Sequence, residues 1–235
     1  MGPLPLILLF IGLPLLAGLW LRRREAESGL VKLLLAFSGA FLLSVTVVHM
    51  LPELYEQGGH GIGPWVLAGF MLQVVLEFFS RGIEHGHVHV HAGHARTLPL
   101  MTLLSLCAHS FTEGLPFADE AVRANLPFVV GVLMHKAPMA IALATVLRRS
   151  DVTDGRYWTM IGVFAISLPI GMLVGIAGGD RLGGGFLEAA LALAIGMLLH
   201  ISTTIIFETT PDHRFDPKRF LTVLAGAGLA FLSMH

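Results

Sequence analysis

Two stretches carry side chains that can ligate a metal, 109-HSFTEG-114 and 135-HKAPM-139, and each lies inside a long apolar run. His109 and Glu113 are four residues apart, as are His135 and Met139. On an α-helix such pairs leave from one face, one turn above the other. Imidazole suits zinc and other late first-row divalent ions, carboxylate adds charge, and thioether softens a site. His109, Glu113 and His135 therefore read as a three-ligand set, with Met139 or a water as the fourth ligand. A single carboxylate undercompensates a dication, which favours an ion that can leave over a structural one.

Lys136 follows His135 directly. A buried ammonium there repels a second cation, so one metal is expected, with Lys136 either paired to a carboxylate such as Glu113 or deprotonated by desolvation. Other ionisable groups inside apolar runs are costly in lipid and mark function by default. His49 and Glu53, in 49-HMLPE-53, suit an outer entrance, while Glu77 is close enough to a run's end to reach the interface. His200, Thr204 and Glu208 are spaced to share a face, with Glu208 toward the cytoplasm. The segment 85-HGHVHVHAGH-94 holds five of the twelve histidines, His85, His87, His89, His91 and His94, a composition able to chelate divalent metal transiently. Cys107 is read as a packing residue, because two positions from His109 it faces away from it.

These groups must be held by membrane helices. With 54% hydrophobic and 13% charged residues and a mean hydropathy of +0.76, the 235-residue chain has too little polar surface for a soluble domain. A bilayer core of roughly 30 Å needs about 20 apolar residues per helix. Eight such runs can be cut, at residues 4–21, 30–51, 64–80, 97–115, 126–147, 157–177, 186–207 and 220–234. The expected fold is all-α and polytopic, a single transmembrane domain over 1–235 with a cytoplasmic His-rich loop, 84–96, between the third and fourth helices. Placing the odd-numbered links on one side collects twelve Lys and Arg against two, Arg123 and Arg181, on the other. Cytoplasmic loops carry that excess, so both termini are expected outside. The first run lacks a basic flank before it and a small-residue cleavage site, and reads as a retained span. Pro116, Pro138 and Pro169 are expected to kink helices near the polar residues, and Gly171 with Gly175 reads as a small-residue packing face. A net charge of −1 argues against a nucleic-acid partner, and one cysteine excludes an internal disulfide.

Eight spans with outer termini, a His-rich link after the third, H-S-x-x-E-G in the fourth and H-K-A-P in the fifth together resemble the ZIP (zinc- and iron-regulated transporter-like) family. The 49-HMLPE-53 ending and 169-PIG-171 add to the likeness, and H-K-A-P is similar to one subgroup. The resemblance implies movement of zinc, iron, manganese or cadmium into the cytoplasm of a cell through a site between the fourth and fifth spans, binuclear in some members. It puts His109, Glu113 and His135 on primary-site ligands, Ser110 on a position often Asn, and Met139 on one often Glu. Lys136 falls on a second-site acid, and Leu168 where some members have a further second-site Glu. The implied protein is a multi-pass transporter of the cell (inner) membrane, with Zn2+ as cargo rather than cofactor, the lipid bilayer around it, and a homodimer by family analogy alone. The residues by themselves also admit an intramembrane zinc hydrolase, although H-E-x-x-H is absent, or a metal sensor without flux.

Overall fold

The computed structural model describes residues 2–23, 28–80, 82, 98–150, 152–208 and 216–234. All regular structure among them is helical: α1 (Pro3–Arg23), α2 (Ser28–Val45), α3 (Leu51–Gly58), α4 (Gly63–Ser80), α5 (Leu98–Gly114), α6 (Glu120–Ala124), α7 (Leu126–Arg149), α8 (Asp154–Leu182), α9 (Gly184–Glu208) and α10 (Pro217–Ser233). A π-helical turn, Thr46–Met50, joins α2 to α3 without a break. Pro52 supplies the reason, since its ring and missing N–H disrupt the preceding α-helical turn and a wider turn absorbs the misfit.

Among the described residues six helical segments are long and apolar enough to cross a membrane, where the sequence suggested eight. They are Pro3–Arg22, Gly29–Gly58, Gly63–Ser80, Leu126–Arg149, Asp154–Leu182 and Gly185–Ile206. The other two expected spans, α5 and α10, have 17 residues each and so reach about 26 Å. Local chemistry sets an end of each. The chain after α5 tightens into a 3-10 turn at Leu115–Ala118 containing Pro116, and α10 starts on Pro217 behind an Asp216 cap. Large apolar side chains such as Leu16, Phe78, Leu104, Leu173 and Leu232 are exposed on the outer surface, as a lipid-facing belt requires.

The most enclosed span, α7, packs against α1, α2, α5 and α8, while α4 runs along α9, α10 along α2 and α5 along α8. Glycine permits all three of these last approaches, Gly226 on α10 lying against Phe37 O on α2. A Cβ at Gly196 would lie 1.9 Å from Val66 O on α4, and one at Gly171 2.0 Å from Phe111 O on α5. Gly175 makes a similar approach to Leu115 O, so the Gly171/Gly175 face does bring α8 against α5 and its 3-10 turn.

The two ends of the bundle are chemically distinct. At one, Arg22 pairs with Asp154, an Arg148 guanidinium N–H donates to Leu21 O, and Tyr157 donates to Gly18 O at 2.8 Å. These contacts bring together the C-termini of α1 and α7 and the N-terminus of α8, with their basic residues. At the other, Asp119 caps α6 through Ala121 N–H and Asn125 caps α7 through Phe128 N–H. Arg123 Nη1 donates to Phe117 O and Ala118 O at 2.7 and 2.6 Å, covering carbonyls that the 3-10 turn leaves open.

Two apolar clusters fill the interior. One holds Phe10, Leu42, Phe117, Phe128, Val132 and Leu168, toward the Asp119 end. The other holds Leu103, Leu106, Met139, Leu147, Ile161 and Phe164, toward the basic end. His135 and Lys136 fall between Val132 and Met139 on α7, and His109 and Glu113 fall between Leu106 and Phe117 along the chain. The polar residues thus form a thin layer between two apolar layers.

Candidate metal centre

The layer is built from three helices. His109 and Glu113 project from one face of α5, and His135 meets them from α7, nine residues or about 14 Å into that helix from Leu126. One ligand-capable atom from each of the three lies within 4.8 Å of the others. His109 Nε2 is 3.0 Å from Glu113 Oε1, and the two imidazole rings stand edge to face with centroids 5.9 Å apart. All three side chains are at most 1% exposed. A tetrahedral zinc with bonds of about 2.1 Å holds its donors about 3.4 Å apart, so the cluster is of the scale a single ion needs.

Electron pairs converge there. Besides His109 Nε2, 3.0 Å from Oε1, no hydrogen-bond donor to either Glu113 oxygen is found among the described residues. On α4 the buried amide of Gln73 sets its Oε1 2.9 Å from His109 Nδ1. An amide oxygen only accepts, so Nδ1 carries the proton in that bond. Nε2, facing the carboxylate, then either holds a second proton or offers a lone pair beside a second lone pair. A cation, proton or metal, is what makes this arrangement favourable in a site walled from water.

Lys136 does not take the carboxylate partner suggested by sequence. Its Nζ donates to Ser110 Oγ at 2.9 Å and lies 4.3 Å from the centroid of the Phe164 ring, and no ion pair with Glu113 is found among the described residues. One residue along a helix turns the side chain by about 100°. Lys136 therefore leaves α7 toward α8, where Phe164 stands, and Ser110 is turned the same way relative to His109. Ser110 serves the lysine, and an aromatic face, not a carboxylate, lies against its amine. Met139 is fully buried in the apolar cluster with Leu103 and Leu106, immediately next to the polar layer. Leu168 is buried in the opposite cluster, and Cys107 is partly buried against the one holding Met139.

The π-helical turn displays His49, whose Nε2 is 3.9 Å from Glu53 Oε2, both side chains 46% exposed. They line a cavity of about 580 Å³ with Glu56, Asp119 and Asn125. At its edge buried Met50 receives a 3.3 Å hydrogen bond at sulfur from Asn125 Nδ2. This vestibule is at the Asp119 end. Toward the other end, His200 Nε2 meets Glu77 Oε2 at 2.5 Å, and Phe70 packs its edge or face on the imidazole with centroids 4.8 Å apart. Glu77 therefore does not merely reach the interface: α4 runs along α9, and the carboxylate is spent on His200. His200 O accepts from Thr204. The side chain of Glu208 and the histidines His85, His87, His89, His91 and His94 lie outside the described residues.

Sequence reasoning missed Gln73, Phe164 and the Glu77–His200 pair. A neutral amide in an apolar run raises no electrostatic flag, and one more phenylalanine is indistinguishable from packing. Only Gln73 left a trace, as the sole Gln, Asn or charged residue between Gly63 and Leu76.

The ZIP Zinc transporter family pattern matches residues 84–234, more than half of the chain. Zinc transporter ZIP1 of Danio rerio is 34% identical over 123 residues, covering 51% of this chain and 40% of the relative. Zinc transporter ZIP1 of Takifugu rubripes is 30% identical over 144 residues, 59% of this chain and 47% of the relative. Zinc transporter ZIP9 of Xenopus tropicalis is 22% identical over 152 residues, 63% and 50% respectively. In these matches the chain spans half or less of each relative's length. The matched region contains α5, α7 and all three cluster residues, and on that extent of match the chain belongs to the ZIP zinc transporter family.

Proposed function

We propose that the chain carries a divalent metal ion across a membrane, Zn2+ foremost, with Cd2+, Fe2+ and Mn2+ as competing cargo, through a single-ion site made by His109, Glu113 and His135. The observation that carries this reading is the buried convergence of His109 Nε2, Glu113 Oε1 and His135, with two potential donors 3.0 Å apart. The vestibule with His49 and Glu53 offers capture at the outer end. His200 and Glu208 continue the path inward along α9, and the His-rich loop, 84–96, receives the ion in the cytoplasm. The names of the similar proteins, all zinc transporters, support zinc as cargo.

One site between two apolar layers cannot face both sides at once, so movement by alternating access is the matching mechanism. Lys136 supplies the fixed positive charge that limits the site to one metal, and Met139 or water completes its coordination. We read residues 1–235 as one transporter domain of eight spans, α5 and α10 being the short ones, with both termini outside. The basic residues gathered at one end support that orientation. Membership in a transporter family sets aside the hydrolase reading.

Uptake of radiolabelled zinc by proteoliposomes tests the proposal. His109→Ala and Glu113→Ala proteins should lose uptake, and competition by the other three ions ranks the cargo. Saturable binding without uptake in the parent protein would point instead to a sensor, and parent-like uptake by both variants would remove the site.

A further inference from the structure

We infer that Gln73 is the positioning residue of the metal site, fixing the tautomer and the aim of His109 so that Nε2 faces the ion. The inference rests on the reading of His109 as a ligand. Gln73 is completely buried, and its Oε1 sits 2.9 Å from Nδ1, the imidazole nitrogen that points away from Glu113. Because the amide oxygen can only accept, this contact requires the proton on Nδ1 and leaves Nε2 as the ligating nitrogen. Metal-binding histidines are oriented in this way by a carbonyl or carboxylate behind the ring, which also raises the basicity of the ligating nitrogen.

The amide is itself held in place. Ser105 Oγ donates to Leu76 O at 2.6 Å, tying α4 to α5 one turn from Gln73 on α4 and one turn from His109 on α5. On the other flank a Cβ at Gly69 would lie 2.0 Å from Leu193 O, so α4 is pressed directly on the α9 backbone there. One turn further along α4, Glu77 holds His200 as Gln73 holds His109. Gln73 and Glu77 are four apart and so share the face of α4 that meets the imidazoles. A leucine in place of Gln73 would fill nearly the same volume and leave Nδ1–H facing hydrocarbon, so the ring would be free to turn or to move its proton to Nε2. A glutamate would keep the acceptor at the same reach.

The test is Zn2+ affinity of the purified full chain, by competition with a chromophoric chelator, for the parent, Gln73→Leu, Gln73→Glu and His109→Ala proteins. Loss of an orienting partner weakens metal binding by about 10- to 100-fold, and that is the loss expected for Gln73→Leu. Gln73→Glu should bind within a few-fold of the parent or more tightly. Nitrogen-15 NMR of the histidine rings in the metal-free parent should show His109 protonated at Nδ1, and a mixture of tautomers in Gln73→Leu. Parent-like affinity in Gln73→Leu, equal losses in both Gln73 variants, or a parent His109 without its proton on Nδ1 would each overturn the inference. If Gln73→Leu does not fold, Gln73→Glu and the parent spectrum decide. Should His109→Ala bind zinc like the parent, the site reading itself fails, an outcome separate from failure of the Gln73 role.

Discussion

Replacing Gly171 by Ala tests how tightly the metal site depends on the α5–α8 contact. The new Cβ would lie 2.0 Å from Phe111 O, whereas real Cβ contacts essentially never fall below 3.0 Å. The atom it meets is backbone, so no side-chain rotation relieves the clash, and α5 must retreat from α8 by about 1 Å. Phe111 lies between His109 and Glu113, so both candidate ligands move with it while His135 stays on α7. A displacement of about 1 Å is half of a metal–ligand bond of about 2.1 Å. Overpacking of this kind costs about 1–3 kcal/mol of stability. We expect Gly171→Ala to lower the melting temperature and to weaken Zn2+ binding at least tenfold, both measured on protein in detergent. Gly162→Ala is the control, on the same helix with nothing within 4 Å of the added methyl. There the better helix propensity of Ala, worth about 1 kcal/mol, should leave stability equal or higher with binding unchanged. If Gly171→Ala melts and binds like Gly162→Ala, the α5–α8 contact does not set the site.

Turning Lys136 to Asp and Ser110 to Asn together removes the ammonium and adds donors, and should raise bound metal from one to two ions per chain by elemental analysis. An unchanged ratio would show that Lys136 is not what limits occupancy. Arg123→Ala strips two charged hydrogen bonds from the 3-10 turn and should cost about 2 kcal/mol of unfolding free energy, with zinc affinity retained once folded. Deleting residues 85–94 should slow zinc uptake into proteoliposomes and leave binding at the buried site intact. Unchanged uptake would discard a transport role for the loop.

Much of this protein was legible in its sequence because lipid enforces simple rules. Apolar length marked the helices, and i, i+4 spacing put His109 with Glu113 and His49 with Glu53 on shared faces. What the linear order could not settle is which face of each helix meets which neighbour. Pairing of His109 with His135 needed α5 to lie on α7, and the close α5–α8 crossing that holds α5 there depends on Gly171. The expected carboxylate partner for Lys136 failed for a rotational reason: one residue beyond His135, the chain turns the ammonium to Ser110 and Phe164. Glu77 looked peripheral until α4 was seen lying along α9, where it meets His200. The fourth and eighth expected runs are 17-residue helices, one end of each set by proline chemistry beside it. By itself, the sequence determined that the chain crosses a membrane as helices and carries side chains of metal-ligating type inside them. Tertiary structure alone decided that three of those residues share one buried point with Gln73 behind them, since helix period fixes angles within a helix and only packing fixes angles between helices.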